Sequence, residues 1–147
     1  MTITGDSTLV YLKNNDDKSF ILTGVALGAF DGITHSDAPY ITLVRNPSGG
    51  DLITDATSVD MNQNRNFGSS QNANANIYKG KVGGTLTGGD NIAFLQTNKT
   101  GRSFFGIDFL LPKGSSIGVK LNANVTSGTA SYYCALIGYF KDEIDAQ

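Results

Sequence analysis

Residues 131–140, near the end of the chain, are almost all apolar or aromatic, and this run limits the folds open to the sequence. β-Branched and aromatic residues favour a pleated strand, and a run of this length extends roughly 33 Å. One face of such a strand carries Tyr132, Cys134, Leu136 and Phe140, and the other carries Tyr133, Ala135, Ile137 and Tyr139. Because both faces are apolar, both need cover. We therefore predict a central strand, covered on one face by a second sheet and on the other by a further layer, such as another copy of the chain.

Elsewhere, apolar residues alternate or form short clusters, and no window of helical length keeps a 3.6-residue period. Turn chemistry separates the clusters, as in Asn46-Pro47-Ser48-Gly49-Gly50 and Pro112-Lys113-Gly114, because Pro cannot donate to a sheet and Gly accepts a positive φ. The pattern predicts strands at residues 7–13, 19–30, 40–45, 60–67, 78–82, 92–95, 105–111, 117–121 and 131–140. Residues 31–39 and 83–89 are predicted loops, Ser127-Gly128 a turn, and 141–147 a charged tail.

Eight or nine strands in 147 residues predict one all-β domain, residues 1–147. The expected architecture is a two-sheet antiparallel jelly-roll-like sandwich of about eight strands, since a barrel would show more regular hairpins. Alternation along the strand at 105–111 turns Phe105, Ile107 and Phe109 to one side. We assign these three side chains to the core, together with Tyr132, Cys134, Leu136 and Phe140.

The low fraction of charged residues limits the classes of partner that the chain is expected to bind. Charged residues make up 16%, below the roughly 25% of an ordinary soluble domain, and the net charge is −2. Without a basic excess, neither nucleic acid nor an anionic membrane is an expected partner. The first residues lack a basic and an apolar signal-peptide region, and no run reaches the 18 or so apolar residues of a membrane helix. We expect synthesis in a cytoplasm without a signal peptide.

No catalytic residue is predicted. His35 stands in Thr34-His35-Ser36-Asp37, but consecutive residues of an extended chain point apart and do not converge as a triad does. Cys134 would need an exposed thiolate and a nearby base, and its place within an apolar strand favours a core role. We therefore do not expect an enzyme.

No metal or cofactor site is predicted either. The carboxylates of Asp16, Asp17, Asp51, Asp55 and Asp60 do not follow the spacing of a calcium loop, so we interpret them as solvated turn residues. The glycine-rich stretch 80–89 lacks the lysine-serine ending and the following helix of a phosphate loop. It is interpreted as a hairpin or surface loop.

The aromatic residues of the late strand are the most informative signal. Tyr132, Tyr133, Tyr139 and Phe140 exceed what a thin sandwich core needs, and tyrosine suits interfaces because it is largely apolar with one polar tip. Under this hypothesis Tyr133, Ile137 and Tyr139 form an oligomer interface. The alternative, that these aromatics fill the core and line the strand ends, stays open on the sequence alone.

Several turn-and-strand patterns suggest a family. They are Asn46-Pro47-Ser48-Gly49-Gly50, Asn66-Phe67-Gly68-Ser69-Ser70, Tyr78-Lys79-Gly80, Leu111-Pro112-Lys113-Gly114-Ser115-Ser116-Ile117-Gly118-Val119 and Ile137-Gly138-Tyr139. In this order the chain resembles small jelly-roll virion proteins of tailed bacteriophages, which decorate a capsid or form the base of head fibres. The resemblance implies a structural homotrimer on the capsid surface that binds the major capsid protein and reinforces the shell.

A second hypothesis is a receptor- or carbohydrate-binding β-sandwich module of a virion fibre or tail. Its loops at residues 31–39 or 98–102 would contact a host glycan. Sugar sites usually stack a ring on an exposed aromatic side chain, and the chain has no Trp. Tyr40 and Tyr78 are then the candidate platforms.

Overall fold

The computed structural model describes residues 2–3, 6–30, 33–35, 39–51, 57–58, 74–80, 83–97, 101–123, 125–128 and 130–141. Twelve β-strands form within these ranges. Their bounds are β1 Thr2–Ile3, β2 Ser7–Asn14, β3 Ser19–Phe30, β4 Ile33–His35, β5 Tyr40–Arg45, β6 Thr57–Ser58, β7 Ala75–Lys79, β8 Asp90–Gln96, β9 Gly101–Leu111, β10 Ser116–Asn122, β11 Val125–Gly128 and β12 Ala130–Lys141. No helix in these ranges is long and apolar enough to span a membrane.

The strands form two main antiparallel sheets. The small sheet has the order β1-β12-β3-β9, and the large sheet has the order β6-β7-β2-β10-β5-β8. Since β1 and β6 are only two residues long, eight longer strands build the sandwich, three in the small sheet and five in the large one. β4 and β11 pair separately as a two-stranded ribbon. The predicted all-β, two-sheet antiparallel sandwich is confirmed.

Two pairs of consecutive strands, β2–β3 and β9–β10, connect the large sheet to the small sheet. The turn at residues 15–18 joins β2 to β3, and the turn at residues 112–115 joins β9 to β10. β2 pairs with β10 in the large sheet, while β3 pairs with β9 in the small sheet. The two pairs therefore run side by side and cross together from one sheet to the other, an interleaving typical of jelly rolls.

The core lies between the two sheets and follows the two-residue period of the strands. In the large sheet the fully buried side chains include Ile41 and Leu43 of β5 and Ile117 and Val119 of β10. Burial of one such side chain contributes about 1.5–3 kcal/mol. Alternate positions along each strand thus supply most of the free energy that holds the sheets together.

The small sheet covers this core with larger side chains. Tyr132 of β12 is 2% exposed and belongs to the core cluster. Six partly buried side chains pack against that cluster from the same sheet: Cys134, Leu136, Phe140, Phe105, Ile107 and Phe109. Phe140 also meets Phe20 with the ring centroids 5.1 Å apart.

The run at residues 131–140 forms a strand as predicted, and this strand lies between β1 and β3 in the small sheet. The strand is β12, β3 lies between β12 and β9, and β1 pairs with β12 only at Ala130 and Ser131. Apolar side chains on both faces indicate that both faces are covered or available for contact. They do not determine which strand lies between its neighbours.

Some predictions made from local turn residues also differ from the structure. The predicted turn at Ser127-Gly128 is part of β11, which pairs with β4 inside the predicted loop 31–39. Pairing of two short segments about 90 residues apart leaves no local pattern. β7 ends at Lys79, whereas the sequence predicted a strand at residues 78–82. The predicted strand 60–67 and residues 142–147 of the tail lie outside the described residues.

Candidate functional site

The outer face of the small sheet exposes large apolar side chains to solvent. Tyr133 and Tyr139 of β12 are 61% and 55% exposed, and Phe104 and Leu110 of β9 are 65% and 60% exposed. Within the described ranges, only one other large apolar side chain, Phe94, is comparably exposed. Exposed apolar surfaces of this kind are a feature of contact sites in proteins.

The register of the three strands brings these side chains together. In an antiparallel sheet, residues directly opposite one another lie on the same face. Three rows therefore cross the outer surface from β12 through β3 to β9: Tyr133, Gly28 and Arg102; Ala135, Ala26 and Phe104; and Tyr139, Ile21 and Leu110. We call the side chains of Tyr133, Ile137, Tyr139, Phe104 and Leu110 the aromatic face.

Small residues of β3 lie at the middle of the aromatic face. A methyl group added at Gly24 would lie 2.7 Å from Cζ of Phe104, so the Phe104 ring reaches across β3 at this position. Ala26 and Gly28 continue the line of small residues. The aromatic face therefore has large side chains along both flanks, the Phe104 ring lies over Gly24, and the small residues Ala26 and Gly28 lie between the flanks.

A β-bulge fixes the backbone beside this surface. Thr23 is the extra residue of β3 between the pairs Leu22↔Gly138 and Gly24↔Ile137. Its hydroxyl donates a hydrogen bond of 3.2 Å to the carbonyl oxygen of Ile137. Bulges increase local twist and redirect side chains. The bulge therefore lies beside Ile137 and Tyr139 of the aromatic face.

The sequence hypothesis named Tyr133, Ile137 and Tyr139, which share the outer face of β12, and it missed Phe104 and Leu110 of β9. A signal for the missed pair was present in the sequence. Phe105, Ile107 and Phe109 were assigned to the core, so the same alternation turns Phe104 and Leu110 outward. The sequence does not show that β9 and β12 flank the same strand.

The two residues weighed as catalytic candidates lie on different strands, His35 on β4 and Cys134 on β12. Cys134 packs against the core cluster, and burial raises the pKa of its thiol to about 12. At neutral pH the sulfur therefore keeps its proton and is a poor nucleophile. His35 lies on β4 opposite Val125, while Ser36 and Asp37 lie outside the described residues.

Three of the five aspartates considered as metal ligands, Asp16, Asp17 and Asp51, lie in described segments, and each interacts with a neighbouring group. Asp17 pairs with Lys113, which lowers the pKa of that carboxyl, and Asp16 accepts a hydrogen bond of 3.1 Å from the backbone N–H of Lys18. Asp51 accepts one of 2.9 Å from the N–H of Thr85. Asp55 and Asp60 lie outside the described residues. In the part that is described, no three His, Cys, Asp or Glu side chains are grouped to hold a metal ion.

The described part of the glycine-rich stretch is residue 80 and residues 83–89, and residues 83–89 cover part of the large sheet. Its buried Leu86 packs with Tyr11 and Val44, and a methyl group at Gly118 would clash with the Leu86 side chain. Gly88 and Gly89 adopt positive φ angles of 69° and 76°, which glycine accepts without strain. This segment covers the part of the outer surface of the large sheet around Tyr11, Val44 and Gly118, and it presents no helix terminus to a phosphate.

The two tyrosines predicted to stack on a sugar, Tyr40 and Tyr78, differ in how much of each ring is open to a ligand. Tyr78 stacks on Tyr11 with the ring centroids 5.5 Å apart, so one of its faces is occupied. Tyr40 lies 6.5 Å from the exposed ring of Phe94. Most of residues 31–39 and 98–102, the predicted glycan-contacting loops, lie outside the described residues or have no described side chains.

Comparison of the chain with protein-family models, curated proteins and solved structures gives no match.

Proposed function

We propose that this chain is a structural, non-enzymatic virion protein. It acts as a capsid decoration protein that oligomerises through the aromatic face, as a homotrimer, and reinforces the shell by binding the major capsid protein. The observation that carries the proposal is the group of four side chains, Tyr133, Tyr139, Phe104 and Leu110, each more than half exposed on one sheet face. The trimer and the capsid come from the resemblance of the sequence to phage virion proteins.

The size of the aromatic face suits an assembly contact. A buried aromatic side chain covers about 150–250 Å², so these four exposed side chains offer on the order of 400–500 Å² of apolar area. At about 25 cal/mol per Å², their burial contributes on the order of 10 kcal/mol. This is within the 4–15 kcal/mol that association costs, so the aromatic face alone supports only weak binding.

Weak individual contacts are sufficient on a capsid. A symmetric lattice holds many copies at a high effective concentration, which multiplies the strength of each contact without a deep pocket. The charged fraction of 16% also reduces the cost of burying the surface against neighbours. Arg102 and Asp108 lie on the same side of β9 as Phe104 and Leu110, so charged side chains accompany the apolar ones on this surface.

Co-sedimentation with capsids tests the proposal. Purified capsids of the virus that encodes this chain, stripped of their decoration protein, are mixed with the wild-type protein and with Tyr133→Asp. Phe94→Asp is the matched control, because Phe94 is equally exposed but belongs to the opposite sheet. We expect the wild-type protein and Phe94→Asp to sediment with the capsids and Tyr133→Asp to stay in the supernatant. Wild-type protein that stays in the supernatant would contradict the proposal.

A further inference from the structure

A second surface feature, an open cleft of about 410 Å³, lies on the outer side of the large sheet. Its floor is Thr42 of β5, a buried residue, beside Lys120 of β10. Tyr40, Phe94 and Leu86 also line the cleft. This cleft is separate from the aromatic face, which belongs to the other sheet.

The strand register builds the cleft from adjacent rows. Lys120, Thr42 and Phe94 are directly opposite one another across β10, β5 and β8, and Asn122 and Tyr40 form the next row. Phe94 is 66% exposed, and its ring is tilted by 54° against that of Tyr40. Contact with Tyr40 therefore supports Phe94 from one side and leaves most of the ring open to solvent.

Polar groups beside the rings are held in place for hydrogen bonding. Asn122 Nδ2 donates a hydrogen bond of 2.9 Å to the hydroxyl oxygen of Tyr40. Since that oxygen accepts, the Tyr40 O–H is available to donate to a ligand, and the Asn122 carbonyl oxygen is available to accept. Asp6 also lines the cleft, and its Oδ1 accepts a hydrogen bond of 3.1 Å from the N–H of Ala123.

We infer that this cleft binds a neutral saccharide. A pyranose ring has an apolar C–H face that stacks on an exposed aromatic ring such as Phe94, and hydroxyl groups that need both donors and acceptors at its edge. Tyr40 and Asn122 supply these groups one row away from Phe94. One Lys120 ammonium and one Asp6 carboxylate balance in charge, which favours an uncharged ligand.

Other ligand classes fit this cleft less well. A nucleotide or phosphorylated ligand would need several cations, and Lys120 is the only one among the residues that line the cleft. An apolar ligand is usually enclosed on most sides, whereas Phe94 stands open to solvent and polar side chains form much of the lining. The open shape instead suits a sugar that is part of a larger glycan.

Saturation-transfer NMR tests the inference. The full chain is mixed with millimolar neutral oligosaccharides of glucose, mannose, galactose and N-acetylglucosamine. We expect transfer to the ring protons of at least one of these sugars, and at least a tenfold loss of affinity in Phe94→Ala with recovery in Phe94→Tyr. Phe104→Ala is the matched control, since Phe104 is 65% exposed on the other sheet, and it retains binding.

Two results would contradict binding of a saccharide in this cleft. Transfer to none of the four sugar classes would overturn the inference, as would binding that Phe94→Ala leaves unchanged. Because Phe94 is exposed, Phe94→Ala is expected to fold, and circular dichroism checks this. If it does not fold, Tyr40→Phe, which removes only the hydroxyl, is used instead, and unchanged binding in that variant overturns the inference. Neither outcome depends on whether the chain assembles through its aromatic face.

Discussion

The side-chain amide of Asn14 donates a hydrogen bond of 2.9 Å to the carbonyl oxygen of Leu111, a residue 97 positions later in the chain. Asn14 is fully buried at the end of β2. The same Nδ2 donates a second bond of 2.9 Å to the carbonyl oxygen of Lys18, and Oδ1 accepts one of 2.9 Å from the N–H of Asp16. One polar side chain thus joins the β2–β3 turn to the end of β9.

Asn14→Ala should destabilise the protein by about 3 kcal/mol. The substitution removes three hydrogen bonds, and it takes from the buried carbonyl of Leu111 its side-chain donor, a loss that costs about 1–3 kcal/mol. Urea denaturation measures the free energy of unfolding. Asn74→Ala is the control, since exposed Asn74 donates one bond of 3.3 Å to Asn15, and its loss should stay within about 0.5 kcal/mol. Equal effects of the two substitutions would refute the role of Asn14.

Gly138→Ala should destabilise the sandwich, whereas Gly106→Ala should not. A methyl group at Gly138 would clash with the backbone oxygen of Ile21 and lie 2.5 Å from Cζ of Phe20. At Gly106, on β9 of the same sheet, nothing lies within 4 Å of the added carbon. We expect a loss of about 1–3 kcal/mol for the first and less than about 0.5 kcal/mol for the second. Thermal unfolding of both variants checks this, and an undiminished melting temperature for Gly138→Ala would contradict it.

The buried thiol of Cys134 should make stability depend on alkaline pH. Burial raises its pKa from 9.0 to about 12, so between these values the unfolded chain loses a proton that the folded chain keeps. Stability from this group is therefore complete below pH 9.0 and falls as the pH rises toward about 12.

Cys134→Ala is the reference for that titration, because it keeps the other ionisable groups. Denaturation at pH 8 and at pH 10.5 should show a larger loss of stability in the wild-type protein than in the variant. The same burial predicts slow alkylation of native Cys134 by iodoacetamide at pH 8 and fast alkylation in urea. Parallel pH dependences of the two proteins would show that the thiol is not buried as described.

Strong alternation made much of the fold predictable. Along residues 105–111 and 117–121, every second side chain is apolar, and the structure has β9 and β10 there with those side chains inward. Turn chemistry at Pro112-Lys113-Gly114 correctly separated these two strands, with Gly114 at a φ of 82°. Period and turn residues are local properties, and a sequence displays them directly.

Relationships between distant segments were not predictable in this way. The order β12-β3-β9 places Phe104 and Tyr133 on the same sheet face. No local sequence pattern around either residue indicates that they lie on one surface. Asn14 stands in an Asn-Asn-Asp-Asp-Lys stretch that is typical of a solvated turn, although its side chain is fully buried. The pairing of β4 with β11 depends in the same way on the completed sandwich.

Light scattering coupled to size exclusion tests the central claim, assembly through the aromatic face, most directly. At high micromolar concentration the wild-type protein and Phe94→Asp should have three times the mass of the 15.5 kDa protomer. A Tyr133→Asp/Tyr139→Asp variant should have the mass of one protomer, because two charges would then lie in the buried contact. A wild-type monomer, or an unchanged trimer in the double variant, would contradict the account.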